Sequence, residues 1–112
     1  MSTMLTEQKC QACEGGVPPL SAEEVKDYQE QVHGDWDVTD ENLWLEREFI
    51  FDDFVTALEF VNNVGEIAEE EEHHPDIQLG YGYAMIFLTT HAIEGLSSND
   101  FIMAAKIDQL VE

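Results

Sequence analysis

The chain has 112 residues, enough for one domain with one core but not two. Its 25 acidic residues stand against four Lys and Arg, a formal net charge of −21 that repels phosphate backbones and argues against direct nucleic-acid binding. A 44% hydrophobic content supports folding, and no apolar run approaches the roughly 20 residues of a membrane span, so a soluble, cytoplasmic protein without a secretory leader is expected. Self-repulsion on this scale opposes compaction and is screened by salt. A halophilic setting is one reading of it, and a very acidic solvated face the other.

Residues 1–20 read as an N-terminal arm, in which Gly15, Gly16, Pro18 and Pro19 block regular structure. Cys10 and Cys13 form a CQAC pair in this arm. Two thiolates alone do not complete a four-ligand zinc site, so the pair reads as structural or incidental rather than redox-active.

A single domain over 21–112 follows. Ser21 and Glu24 make a capping box, and the helix after them should run to about Val32 and end near Gly34. Trp36 to Val38 suits a short strand and TDEN at 39–42 a turn. Leu43 to Phe51 is then a second strand, rich in aromatic and branched residues. Alternation puts Leu43, Leu45, Arg47, Phe49 and Phe51 on one face of it, and Trp44, Glu46, Glu48 and Ile50 on the other. Arg47 leaves open which face is buried.

Asp52 or Asp53 can cap a helix over about 53–71, where Phe54, Leu58, Val61, Val64 and Ala68 predict one apolar stripe. Glu66 and Glu69 to Glu72 crowd its C-terminal end, where the helix dipole disfavours anions. Strands at about 76–81 and 84–90 flank Gly80, Tyr81 and Gly82, the mark of a hairpin. A second capping box, Ser97 with Asp100, opens a last helix carrying Ile102, Ala105, Leu110 and Val111. Helix, two strands, helix, two strands, helix predicts an α+β domain with an antiparallel sheet covered on one face.

Three of the four histidines, His73, His74 and His91, lie in this second half. A hairpin centred on Gly82 would set His91 opposite residue 73 and gather the imidazoles. Imidazole is the side chain best suited to moving protons near neutrality, so a proton-transfer site is expected. A solvated helix exit is the plain alternative for His73 and His74. A metal site is a further one, although no HEXXH or comparable spacing is present. His33 stands apart as a surface residue, Asp100 is read as the capping partner of Ser97, and Tyr81 as turn support.

Glu69, His73, His74, Pro75, Tyr81, His91 and Asp100 fill the pattern E-x3-H-H-P-x5-Y-x9-H-x8-D. With LSAEE at 20–24, Trp36, FxFxDF at 49–54, LTTH at 88–91 and GLSxxD at 95–100, the chain resembles the pterin-4a-carbinolamine dehydratases almost throughout from Cys10. The CxxCEGGxPPL arm is similar to that of bacterial and plant members.

The resemblance implies a four-stranded antiparallel sheet with three helices packed on one face, and homodimers or homotetramers. It implies dehydration of 4a-hydroxytetrahydropterin to quinonoid dihydropterin, which recycles the cofactor of aromatic amino acid hydroxylases and uses no metal or redox cofactor. By the same resemblance His73, His74 and His91 surround the 4a-hydroxyl. Glu69, one turn before His73, is expected to hold an imidazole in its tautomer. Substrate contacts come from Glu72 to His74 and from Thr89, Thr90, His91 and Ala92. The chain departs from the family in having Glu72 for Asp, Gly82 and Tyr83 for Asn-Lys, and Ala92 for Glu. A non-catalytic dimerisation or interaction module, or a role in another pterin pathway such as molybdenum-cofactor metabolism, is the alternative.

Overall fold

The computed structural model describes residues 5–8, 10, 18–39 and 43–111. The expectations placed on Cys13, Gly15, Gly16 and residues 40–42 lie outside them.

Ser21 Oγ accepts a hydrogen bond from Glu24 N–H while the Glu24 carboxylate accepts one from Ser21 N–H, and α1 spans Ala22–Gln29 behind this box. It ends short of Val32. Then come β1 (Asp37–Thr39), β2 (Trp44–Ile50), α2 (Phe54–Glu71), β3 (Asp76–Gly80), β4 (Tyr83–Leu88) and α3 (Ser98–Asp108). The four strands form one antiparallel sheet in the order β1-β2-β4-β3, so with three helices the fold is α+β as expected.

Alternation along β2 is settled in favour of the Arg47 face: Leu45, Arg47 and Phe49 are buried, as are their neighbours Ala84, Ile86 and Leu88 on β4. Arg47 is tolerated inside because its guanidinium bonds Asp108 at 2.6 Å and lies 4.3 Å from the centre of the Phe49 ring. Asp108 also accepts from Trp36 Nε1 at 2.7 Å and His33 N–H at 3.0 Å, fastening the end of α3 to the start of the sheet. The His33 ring is half exposed, in keeping with a surface histidine.

Asp53 caps α2 by accepting from Thr56 N–H at 2.8 Å. Hydrogen bonds from Thr56, side chain first and backbone second, hold the Asp53 carboxyl below its usual value. The buried stripe of α2 is Ala57, Phe60, Val64, Ala68 and Glu71, which keeps Val64 and Ala68 of the expected stripe and replaces its first half. Phe54 and Leu58 stand at the surface and Val61 is only partly buried. Both stripes repeat at helical spacing, and only the position of the sheet chooses between them. The helix enclosed on most sides is instead α3, with nine of its 11 residues buried. Leu5, in a 3₁₀ turn at Leu5–Glu7, is buried with the same core. Leu110 and Val111 lie past the helix end and are exposed.

The hairpin differs from expectation by one residue. Gly80 pairs with Tyr83 and Asp76 with Phe87, so the loop is Tyr81-Gly82, with Gly82 at φ 79° and Tyr81 exposed at the tip. A one-residue slip turns every side chain to the other face. The strand ends at Leu88, and His91 belongs to a 3₁₀ turn, His91–Ile93, rather than to the ladder. Strand pairing therefore does not set His91 opposite His73.

Candidate active site

The site is built where α2 ends, α3 begins and the chain leaves β4. Glu72, just past α2, adopts the left-handed conformation at φ 53° and ψ 38°, and His73 N–H reaches back to Ala68 O at 3.2 Å. This closure stops the helix and turns the His73 ring toward α3. A glutamate there costs about 1–2 kcal/mol relative to an ordinary backbone.

The ring is received by Asp100. His73 Nε2 lies 2.6 Å from Asp100 Oδ1, with the His73 side chain 12% exposed and the Asp100 carboxyl fully buried. Asp100 Oδ2 accepts from Ser97 N–H at 2.9 Å and from Thr90 Oγ1–H at 2.8 Å. Asp100 thus completes the capping box of α3, as expected, and holds an imidazole with its other oxygen, which the cap alone gave no reason to expect. Thr90 immediately precedes His91, and its backbone pairs with Gly95 across the loop, Thr90 N–H to Gly95 O being 3.0 Å. His73 and His91 are therefore tied to one end of the sheet through Thr90 and Asp100. An ionised carboxylate only accepts, so Thr90 O–H and His73 Nε2–H both donate to it. In the neutral ring Nδ1 is then the free lone pair.

His74 turns the other way. Its side chain is 61% exposed and Nε2 lies 2.5 Å from Glu69 Oε2, on a carboxylate that is itself 78% exposed. His91 is exposed, and its ring stands at 80° to that of Trp44 at a centroid distance of 5.8 Å. Leu43, Trp44, Thr89, His91 and Glu94 line a cavity of about 420 Å³. Trp44 also borders a second cavity of about 340 Å³ on the open face of the sheet, with Glu46, Asp76 and Phe87. Thr89 contributes a hydroxyl that donates to Leu43 O, so it shapes the wall rather than presenting a free proton. Among the described residues no three His, Cys, Asp or Glu side chains gather as a metal-binding group.

The glutamate run is not one feature. Glu69 serves His74 and Glu72 makes the turn, while Glu71 is buried. One Glu71 oxygen accepts from Lys106 Nζ at 2.7 Å and the other from Cys10 N–H at 2.8 Å. Glu71 thereby joins the last turn of α2 to α3 and the arm, two residues before His73. A Glu inside a run of Glu carries no mark of its own in the sequence. Its spacing from Val64 and Ala68 was the available signal.

A family model described as pterin 4 alpha carbinolamine dehydratase matches residues 18–110. The chain belongs to this family. A relative from Rubrobacter xylanophilus is 52% identical over 106 residues, covering 95% of this chain and 97% of its own. One from Halorhodospira halophila is 48% identical over 106 residues, covering 95% and 96%. Both are named, provisionally, as pterin-4-alpha-carbinolamine dehydratases. A crystal structure titled as a transcriptional coactivator/pterin dehydratase from Brucella melitensis superposes with a TM-score of 0.79 at 28% identity, over 84% of this chain and 99% of that one. A second, titled as a pterin dehydratase-like RuBisCO assembly factor of the alpha-carboxysome, has a TM-score of 0.60 over 70% and 90%. At 24% identity it speaks to the fold alone. The dehydratase family thus supplies the chemistry against which the histidines are to be judged, and the chain covers nearly all of its relatives' length.

Proposed function

We propose that this protein dehydrates 4a-hydroxytetrahydropterin to quinonoid dihydropterin by histidine acid–base chemistry, and so recycles a tetrahydropterin cofactor. The observation that carries the reading is the buried Asp100 carboxylate, which holds His73 and reaches His91 through Thr90. In the reaction a proton passes to the 4a-hydroxyl, the C4a–O bond breaks and water leaves. The N5 proton is removed, and its electron pair closes the C4a=N5 double bond. One imidazole must donate and another accept, each contributing roughly 10²- to 10⁴-fold. His73, with Nε2–H held by Asp100, suits the base through Nδ1. His91, at the cavity, suits the acid. His74, held by the exposed Glu69, orients the ring or shares the base role, and Glu72, Thr89 and Thr90 belong to the substrate-binding segments.

The decay of 4a-carbinolamine, followed with and without protein, tests this directly. His73→Ala and His91→Ala should each slow it by roughly 10²- to 10⁴-fold while circular dichroism stays that of the wild type. Folded variants of undiminished rate would reject the proposal.

A cytoplasmic homodimer or homotetramer, working alongside an aromatic amino acid hydroxylase, fits this reading. Ile50, Phe54, Val55 and Leu58 support the assembly, being apolar and exposed where β2 runs into α2. The same surface favours the second reading, an interaction module, and the Brucella neighbour's title joins coactivator and dehydratase. Carbinolamine turnover separates the two.

A further inference from the structure

Two non-glycine residues among those described have a left-handed backbone, and both are glutamates beside the histidines: Glu72 before His73, and Glu94 after His91. Glu94 sits at φ 53° and ψ 47°, a conformation that suits Gly or Asn. A glycine does stand next to it, at 95, but there it provides space. A Cβ on Gly95 would lie 2.6 Å from Pro19 Cβ. Backbone conformation therefore does not account for a glutamate at 94.

Its location does. His91–Ile93 is a single 3₁₀ turn, and Glu94 N–H closes onto His91 O at 3.2 Å. That closure brings the Glu94 backbone back beside His91. Both line the cavity of about 420 Å³ whose wall includes the Trp44 indole. The Glu94 carboxylate makes no hydrogen bond or ion pair with any described residue. The loop that carries it is closed by the Thr90–Gly95 bridge, and Thr90 is anchored on Asp100, so Glu94 is held in register with the His73 partner.

We propose that Glu94 is a specificity-determining residue that binds the 2-amino-4-oxopyrimidine edge of the pterin, with Trp44 walling the ring. That edge presents two adjacent donors, N3–H and the 2-amino group, and a carboxylate accepts such a pair in parallel. The proposal rests on the dehydratase reading above and adds to it the group that selects the ring.

Quenching of intrinsic pteridine fluorescence measures the binding of pterin and of lumazine, which has an oxygen in place of the 2-amino group. The wild type should prefer pterin. Glu94→Gln should bind pterin roughly tenfold more weakly and lumazine almost as before, so that the preference collapses. Glu94→Gly should show the same loss with a raised thermal midpoint, since glycine suits the backbone there, and this separates lost recognition from lost folding. An unchanged pterin-to-lumazine ratio in Glu94→Gln overturns the proposal and leaves the dehydratase reading standing. A wild type that binds neither ring overturns both.

Discussion

Asp100→Asn tests the centre of the site with the smallest change of shape. In the wild type the carboxylate accepts three hydrogen bonds, from His73 Nε2 at 2.6 Å, Thr90 Oγ1 at 2.8 Å and Ser97 N–H at 2.9 Å, with no exposure to water. Asparagine has one acceptor oxygen. If that oxygen keeps Ser97 and Thr90, the helix cap survives and the amide NH₂ faces His73. The imidazole must then accept at Nε2 and carry its proton on Nδ1, which removes the lone pair needed by the base and destabilises the imidazolium. The loss of a charge-assisted hydrogen bond costs roughly 1.5–3 kcal/mol of stability, which the fold should survive. The catalytic loss should be larger, roughly 10²- to 10⁴-fold, because the base itself is put in the wrong tautomer. Stopped-flow decay of the carbinolamine gives the rate, and a thermal melt gives the stability. A variant with a lowered midpoint but near-wild-type rate would refute the reasoning, leaving Asp100 a helix cap and His73 a bystander.

The other predictions are of stability, substrate binding and salt response. Glu71→Ala strands Lys106 in a site where its side chain is 16% exposed, and should cost about 3–5 kcal/mol in chemical denaturation, whereas Glu70→Ala, on an exposed residue, should cost almost nothing. Equal effects would show that the buried pair contributes no more than the solvated run. Glu72→Gly should raise stability by about 1 kcal/mol, by relieving the left-handed glutamate against the entropy of glycine, and should raise KM if the side chain meets substrate. An unaltered KM would remove Glu72 from the binding segment. With 25 acidic residues against four basic, the melting midpoint should rise from low to molar potassium chloride, by roughly 4–8 °C for each kcal/mol of repulsion screened. A flat or falling midpoint rejects that account.

Features that depend on residues three or four apart were legible in the chain itself. Ser21 with Glu24 and Ser97 with Asp100 are each satisfied within one turn and stand as expected, and of the two candidates Asp52 and Asp53 the structure takes Asp53. The alternation along β2 was equally plain, as was the set of motif residues that resembles the family. What the sequence could not settle were choices between patterns of equal local merit. Two stripes on α2 repeat at helical spacing, and only the sheet beneath decides that Phe60 and Glu71 go inward while Phe54 and Leu58 stay out. The hairpin could turn at one residue or two, and the ladder ends at Asp76 and Phe87, short of His91, which enters a 3₁₀ turn instead. Asp100 reads as a cap because its cap partner is three residues away, whereas His73 is 27 away. Glu71 finds Lys106 across 35 residues, and Arg47 finds Asp108 across 61. Partners that distant are fixed by packing, since burial makes an unpaired charge costly and only the assembled fold determines which charges are buried.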